Sequence, residues 1–223
     1  YENLNKGIFD GTGTYDIPRL FPEHCNIKNF IGFNFAKTCK QPYDKGLHFF
    51  IDDYQFTRLW SNPDTYLELL QKFKCVCTPD FSTYTDFPKA VQIYNHYRKH
   101  WLGAYWQNNG ITVIPTISWS DKASFEWCFD GEPVGGAVAV SSVGTQLNKE
   151  SRLLFMDGYN EMLIRLQPKE VLMYCRVIDD YKGKKLAFNS RSASLAEVDK
   201  SFMNMINNIV RIYKHLEFFT EIC

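Results

Sequence analysis

The chain has 223 residues, of which 45% are hydrophobic, and its 25 Lys and Arg residues balance its 25 Asp and Glu residues. This length and apolar content fit one α/β domain with a sizeable core and exclude wholesale disorder. The balanced charge argues against a protein that binds nucleic acid through a general basic excess. We find no apolar run long enough to span a membrane and no signal peptide, which predicts a cytoplasmic protein.

The elements predicted from the sequence alternate between short apolar runs and amphipathic stretches. An irregular segment, 1–28, comes first and contains glycine and proline breakers. Helix ends are signalled by Asn62-Pro63, Asn109-Gly110 and Ser120. The predicted strands are 30–36, 47–53, 75–80, 111–119, 137–142 and 171–177, and the predicted helices are 62–73, 88–109, 120–129, 150–166 and 194–219, with a polar loop at 178–193.

This alternation predicts an α/β fold with a mainly parallel sheet of about six strands. Six strands are too few for a complete eight-stranded barrel, so we expect an incomplete or irregular TIM-like barrel, with an open doubly wound sheet as the alternative. No linker interrupts the pattern, which predicts a single domain over residues 1–223. The odd number of cysteines, seven, predicts reduced and mostly buried thiols rather than a disulfide framework.

Two of the predicted strands end in aspartates, Asp52-Asp53 and Asp80. In parallel α/β folds, the carboxyl ends of the strands meet at the edge where ligands bind. Alternation along each strand places Asp52 and Asp80 on the inward face and predicts that Asp53 turns away unless the strand has already ended before it. The polar members of the predicted inward faces are His48 and Asp52, Thr78 and Asp80, and Thr112, Thr116 and Ser118.

A pair of inward carboxylates is the arrangement that glycosidic-bond chemistry requires, so we predict Asp52 and Asp80 as catalytic residues. A second interpretation is a Mg²⁺ or Mn²⁺ site formed by Asp52, Asp53 and Asp80 for phosphoester chemistry. The five histidines are scattered and form no recognised zinc motif.

The small-residue segment after the fifth predicted strand, Ser141–Thr145, is a candidate phosphate-binding loop, although it lacks the lysine and glycine spacing of known phosphate loops. An ordinary tight turn is the competing interpretation. Residues of the Ser141–Thr145 segment and polar and aromatic neighbours of the strand ends make up the predicted substrate-binding set. That set is Asp53, Ser82, Tyr84, Thr116, Ser118, Trp119, Ser141, Ser142, Gly144 and Thr145.

Several longer signatures stand in the central part of the chain. They are Phe50-Ile51-Asp52-Asp53-Tyr54, Thr78-Pro79-Asp80-Phe81-Ser82, Trp101-Leu102-Gly103-Ala104-Tyr105-Trp106-Gln107, Ile114-Pro115-Thr116-Ile117-Ser118-Trp119, Phe129-Asp130-Gly131 and Ser141-Ser142-Val143-Gly144. Together they resemble a family of bacterial, archaeal and phage proteins known as domain of unknown function 4417, and the resemblance covers about residues 30–175. It implies a role in phage or plasmid biology, inside the host cytoplasm if a phage encodes the chain, and it implies no particular activity.

The leading hypothesis is therefore an enzyme that acts on a nucleotide or nucleic-acid substrate at a glycosidic or phosphoester bond. The alternative is a non-catalytic phage protein that binds a nucleotide or a host protein. The sequence leaves the oligomeric state open.

Overall fold

A computed structural model describes residues 6–27, 29–145 and 147–175, together with the backbone of 185–187. Its parallel strands form two groups. One has the order β3-β4-β5-β6 and the other the order β7-β8-β9, and an antiparallel pair, β1-β2, precedes both. The strands are β1 Gly11–Thr12, β2 Ile17–Pro18, β3 Phe30–Gly32, β4 Gly46–His48, β5 Cys75–Cys77, β6 Val113–Ile114, β7 Ala137–Ser141, β8 Glu170–Tyr174 and β9 Lys185–Ala187.

A single parallel bridge between Thr116 and Ala139 connects the two parallel groups. Backbone hydrogen bonds on either side support it, from Ile117 N–H to the Ala139 carbonyl and from Ala139 N–H to the Pro115 carbonyl, each 2.8 Å long. The predicted α/β class with a mainly parallel sheet is thus confirmed. The described strands do not close into a barrel.

Two long helices end where the sequence indicates. Helix α3, Lys89–Asn108, starts after Pro88 and stops where Gly110 adopts a positive φ of 74°. Because glycine has no Cβ, it takes this left-handed conformation without steric cost. Helix α4, Lys149–Leu166, is capped by the Asn148 side chain, which accepts a 2.8 Å hydrogen bond from Ser151 N–H. Both predicted helices are confirmed to within a residue or two.

The other predicted elements are shorter than expected. The helix predicted at 62–73 is instead a 3₁₀ turn, Asp64–Tyr66, followed by α2, Leu67–Leu70, and Asn62 ends the preceding α1, Arg58–Ser61. Short 3₁₀ turns also replace the distal part of the first predicted strand and the predicted helix at 120–129. These turns are Phe33–Thr38 and Lys122–Glu126, and Asp121 rather than Ser120 caps the second of them.

Three predictions concern the ends of the chain. The N-terminal segment that we expected to be irregular contains the β1-β2 hairpin. The predicted polar loop at 178–193 contains the short strand β9, which pairs in parallel with β8. The predicted helix at 194–219 lies outside the described residues.

The core has two helix-facing parts and one part formed by strands. Leu47, Val76 and Val113 pack with Trp101 and Leu102 of α3. A second cluster packs α4 against β7 and β8. On the opposite face of the strands, residues of both parallel groups meet in one cluster that includes Phe30, Phe50, Cys75, Cys77, Ile114, Ala139 and Leu172.

The face predicted for β5 is therefore wrong. Val76 contacts the α3 side, and a Cβ on Gly103 of α3 would collide with the Thr78 methyl group. Cys75 and Cys77 occupy the strand-lined interior instead. Alternation could not distinguish the two faces, because β5 is apolar on both. The assignments for His48 and Phe50 of the β4 segment are correct, since both rings contact Tyr174 of β8.

Cys25 and Cys75 form a disulfide that joins the N-terminal segment to β5. The prediction that all thiols are reduced is wrong for this pair. Pairing could not be anticipated, because the two cysteines are 50 residues apart and meet only once β5 is in place. The described residues Cys39, Cys77, Cys128 and Cys175 are free thiols.

Within the described ranges, no helix combines the length and apolar character that crossing a bilayer requires.

Candidate functional site: a buried polar network along helix α3

Helix α3 buries a face that is polar. Its members occupy positions i, i+3, i+4, i+7 and i+8, so they lie on one side of the helix. Helices of globular proteins usually bury an apolar stripe, and buried polar groups require partners. This polar stripe consists of Gln92, Asn95, His96, Lys99 and His100, all of them buried.

The turn after β5 is fixed between Asp53 and the polar stripe. The Asp53 carboxylate accepts hydrogen bonds from the Ser82 N–H at 3.1 Å and from the Ser82 hydroxyl at 2.9 Å. Asn95 donates a 2.6 Å hydrogen bond to the Ser82 carbonyl. Between these contacts, Phe81 is buried and packs edge-on against Phe56. The backbone around residues 80–82 is therefore held on both sides.

Asp80 lies in this fixed turn and is surrounded by charge. Burial raises its pKa from 3.8 to about 7, the positive charge of Lys99 opposes that rise, and the negative charge of Asp53 adds to it. Two neighbouring carboxyl groups thus have different environments. Asp53 is stabilised as an acceptor by Ser82, whereas Asp80 changes protonation near neutral pH. A carboxyl group whose pKa lies near neutral pH is typical of general acids and bases in enzymes.

Lys99 connects Asp80 to a second set of buried charges. Its Nζ lies 2.8 Å from Glu132 Oε1 and donates a 2.8 Å hydrogen bond to the Thr116 carbonyl. His100 Nε2 lies 2.9 Å from the same Glu132 oxygen, and His100 Nδ1 donates to the Pro18 carbonyl at 2.9 Å. Burial alone would raise the pKa of Glu132, but Lys99 and His100 together lower it below its ordinary value. Glu132 is therefore ionised.

Glu132 reaches this position because Gly131 precedes it. Gly131 has a positive φ of 75°, and a Cβ there would collide with the Pro18 carbonyl oxygen and with His100. Its N–H donates a 2.6 Å hydrogen bond to the Thr12 hydroxyl of the β1-β2 hairpin. The hairpin and the 129–132 segment thus close around His100.

His96 completes the group one helical turn before His100. Its Nε2 lies 3.0 Å from the Asp130 carbonyl oxygen and, facing an acceptor, donates to it. The two imidazole rings lie 4.4 Å apart, centre to centre. Burial, followed by the charges of Lys99 and His100, lowers the pKa of His96 well below its usual range, so this ring is neutral. We call His96, Lys99, His100 and Glu132 the ion cluster.

The sequence profile described as "Domain of unknown function (DUF4417)" matches residues 9–190. The chain belongs to this family. It is also 40% identical over 168 residues to the Gene 1 protein of Mycobacterium phage L5, which covers 74% of this chain and 73% of the phage protein. Identity to the Gene 1 protein of Mycobacterium phage D29 is 40% over 171 residues, or 76% of this chain and 63% of that protein. No solved structure shows a significant match.

The predicted membership in DUF4417 is confirmed, and the family has phage-encoded members. The profile spans both the fixed turn after β5 and the ion cluster. The network therefore lies within the part of the chain that defines the family.

In this DUF4417 chain, the roles expected for the two adjacent aspartates change. β4 ends at His48, so strand alternation no longer applies at Asp52 and Asp53. Asp52 is exposed, whereas Asp53 contacts Ser82 and acts electrostatically on Asp80. Asp53 was expected to turn away only if the strand continued through it, and β4 ends before it. The pairing of Asp52 with Asp80 stays a prediction.

Thr116 and Thr78 fix the ends of β6 and β5 to each other. The Thr78 hydroxyl accepts from Thr116 N–H at 2.8 Å, and the Thr116 hydroxyl donates to the Thr78 carbonyl at 2.7 Å. Thr116 is fully engaged in this way and is buried. Ser118 is half-buried, and Tyr84 is 59% exposed beside the Ser82 turn.

Trp119 lies in the packing between the 115–120 segment and α4. Its ring packs against Phe155, and a Cβ on Gly158 of α4 would collide with the indole. Trp119 is partly buried and packs against the α4 core cluster, and its predicted role in substrate stacking stays a prediction.

The predicted phosphate loop, Ser141–Thr145, is a turn with internal hydrogen bonds. Val143 N–H donates to the Ser141 hydroxyl oxygen, and Thr145 donates through both its N–H and its hydroxyl to the Ser142 carbonyl. Ser142 donates to the Tyr174 carbonyl. Gly144 has a positive φ of 75° and is exposed. The donors named here are already used, which favours the tight-turn interpretation.

The sequence contained a signal for the ion cluster that we did not use. His96 and His100 are four residues apart in a helix that was predicted correctly, which places both rings on one face. We treated the histidines as scattered, although His48, His96 and His100 are all buried. Glu132 carries no such signal, because it lies 32 residues further along the chain in a loop.

Proposed function

We propose that this chain is an enzyme that acts on a nucleotide or nucleic-acid substrate at a glycosidic or phosphoester bond, with Asp80 as the proton-transferring group. The observation that carries the proposal is the fixed pair of carboxyl groups after β4 and β5. Asp80 has a pKa raised to about 7, and the carboxyl oxygens of its neighbour Asp53 accept hydrogen bonds from Ser82. A general acid or base works best when its pKa lies near the working pH.

In this proposal, Asp80 donates a proton to the leaving oxygen or nitrogen, or accepts one from an attacking water. Asp53 stabilises the positive charge that develops on a sugar ring, and exposed Asp52 is the alternative carboxylate for that role. Lys99 keeps part of the Asp80 population ionised. Exposed Tyr84, next to the same turn, supplies a surface on which a base stacks.

The substrate class is supported by the phage origin of the relatives and by the position of the carboxyl groups after parallel strands. We further propose that β3 to β8 form an incomplete barrel, since residues of both parallel groups share one strand-lined cluster. A Mg²⁺ or Mn²⁺ ion at Asp52, Asp53 and Asp80 belongs to the phosphoester version of the proposal, and it requires these side chains to move together, because among the described residues they do not form a group of ligands.

We propose the host cytoplasm as the site of action. The Cys25–Cys75 disulfide opposes this placement, because disulfides persist mainly in oxidising compartments. Alkylation of thiols at the moment of cell lysis decides the point. A cytoplasmic protein is expected to yield two additional alkylated cysteines compared with the same protein after air oxidation.

Incubation with a panel of nucleosides, nucleotides, NAD and short single-stranded DNA, with and without Mg²⁺, tests the activity. Mass spectrometry of the products reveals release of a base or of phosphate. Asp80→Asn is expected to lower turnover by about 10²- to 10⁴-fold, because it removes the proton that Asp80 transfers. Comparing Asp53→Asn with Asp52→Asn shows which carboxylate is the partner.

Asp86→Asn is the matched control, since Asp86 is exposed in the same loop and is expected to retain full turnover. Thermal-shift measurements with the same panel report binding independently of turnover. Ligand-induced stabilisation without any product would contradict the enzyme proposal and favour the non-catalytic binding protein.

A further inference from the structure

The ion cluster contains three side chains of the kind that bind transition metals. Suitable ligand atoms of His96, His100 and Glu132 all lie within 4.8 Å of one another, and all three residues are buried. Among the described residues, this is the one such group, and the three strand-end aspartates are not part of it. We propose that His96, His100 and Glu132 form a binding site for a divalent first-row transition ion, Zn²⁺ or Fe²⁺. The proposal does not rest on the function proposed above.

The first argument is the orientation of the two histidines. Each ring uses one nitrogen to donate to a main-chain carbonyl, His100 to Pro18 and His96 to Asp130. Metal-binding histidines almost always anchor the second nitrogen in this way, which fixes the ring and its tautomer. The remaining nitrogens are Nε2 of His100 and Nδ1 of His96, and His100 Nε2 points at Glu132.

The second argument is an unsatisfied oxygen on Glu132. Its Oε1 receives both Lys99 and His100, whereas its Oε2 is buried without a hydrogen-bond partner. Such atoms are rare in native proteins, because leaving a buried polar group unpaired is costly. A bound cation satisfies Oε2 while Lys99 keeps its hydrogen bond to Oε1.

The donor set selects the class of ion. Two imidazoles and one carboxylate suit Zn²⁺ and Fe²⁺, whereas Mg²⁺ and Ca²⁺ require oxygen ligands. Bonds of about 2.1 Å in tetrahedral geometry place the ligand atoms roughly 3.4 Å apart. Because the ligand atoms of this group lie within 4.8 Å of one another, metal binding would shorten the widest of these distances by at most about 1.4 Å. Metal bound at His100 Nε2 replaces the proton that this nitrogen shares with Glu132, and that proton leaves to solvent.

Lys99 is the main obstacle to such a site, because its positive charge lies 2.8 Å from Glu132. The position of Lys99 therefore allows a specific test of the site. Removing the charge with Lys99→Met is expected to increase metal affinity, because the ion no longer competes with an ammonium group for the same carboxylate.

The test begins with full-length protein refolded from denaturant in the presence of Zn²⁺, Fe²⁺ under anaerobic conditions, or Co²⁺, since a buried site loads as the chain folds. After desalting, elemental analysis is expected to give about one ion per chain, and the Co²⁺ form is expected to show visible absorption. Glu132→Gln and His96→Gln are each expected to lower the affinity by at least 10- to 100-fold, the loss typical of even an outer-shell partner. His24→Gln, at an exposed histidine, is the matched control and is expected to bind normally.

Far-ultraviolet circular dichroism identifies any variant that fails to fold. In that case, X-ray absorption of the wild-type Zn²⁺ or Co²⁺ form replaces the variants, with nitrogen and oxygen ligands expected and no sulfur. Wild-type protein that retains less than about 0.1 ion per chain overturns the proposal. Stoichiometric metal that both variants retain, or a sulfur ligand from a free cysteine, overturns it as well.

Discussion

At the scale of single residues, Asp80 carries a measurable cost of burial. Its folded-state pKa of about 7 lies above the ordinary value of 3.8, so the folded chain binds this proton more tightly than the unfolded chain. The contribution of Asp80 to stability is present below about pH 4 and is lost as the pH rises through 7. Asp80→Asn removes this dependence, because an amide does not ionise.

We therefore expect Asp80→Asn to gain stability relative to the wild type between pH 4 and pH 8, by at most about 4 kcal/mol. Urea denaturation at several pH values measures the difference. Asp86→Asn, at an exposed position of the same loop, is the matched control. If the free energy of unfolding of the wild type rises across this pH range relative to that of Asp80→Asn, the pKa of Asp80 is not raised in the folded protein.

Residue-level prediction from the sequence succeeded where local rules decide and failed where contacts are distant. Asn109-Gly110 was correctly predicted to end a helix, whereas the role of Asp80, which was chosen because it follows an apolar run, stays a prediction. The orientation of Asp53 could not be predicted, because strand alternation does not apply past His48, where β4 ends. Ser82, 29 residues away, determines the direction of Asp53, and no local pattern encodes that contact.

At the scale of elements, α4 depends on a glycine at its contact with the 115–120 segment. The Trp119 indole occupies the space that a Cβ on Gly158 would need. We expect Gly158→Ala to lower the free energy of unfolding by about 1–3 kcal/mol, the usual cost of overpacking, despite the better helix propensity of alanine.

Denaturation by urea measures this change, and Gly7→Ala is the control because a Cβ at Gly7 meets no atom within 4 Å. A Gly158→Ala variant as stable as the wild type would mean that Trp119 moves without cost.

The elements predicted best are those whose signals lie within them. Pro88, Asn109 and Gly110 bound α3, so its length could be read directly. The strands are shorter than the apolar runs that contain them, because only backbone pairing sets their ends. β6 comprises Val113–Ile114 within a predicted run of 111–119, and this run turns towards Ala139 at Thr116. The pairing partner, more than 20 residues away, could not be derived from periodicity.

At the scale of the whole molecule, the Cys25–Cys75 disulfide ties the N-terminal segment to the sheet. A cross-link across 50 residues is expected to contribute about 2–4 kcal/mol by restricting the unfolded chain. Cys75→Ala is therefore expected to cost more than Cys77→Ala under oxidising conditions. The two variants are expected to cost similar amounts in reductant, since both cysteines are fully buried in the same cluster.

Thermal unfolding with and without dithiothreitol measures this difference. Equal losses for Cys75→Ala and Cys77→Ala in both conditions would indicate that the cross-link is absent from the purified protein.

The bridge between Thr116 and Ala139 has a consequence for how the molecule opens. The two parallel ladders meet at this bridge, across which two backbone hydrogen bonds run. Partial unfolding should therefore separate the ladders before either is lost. In native-state hydrogen exchange, amides of β4 and β5 would then form one kinetic group and amides of β7 and β8 another. Lys99 of α3, which donates a hydrogen bond to the Thr116 carbonyl, would then control the rate at which the two ladders separate.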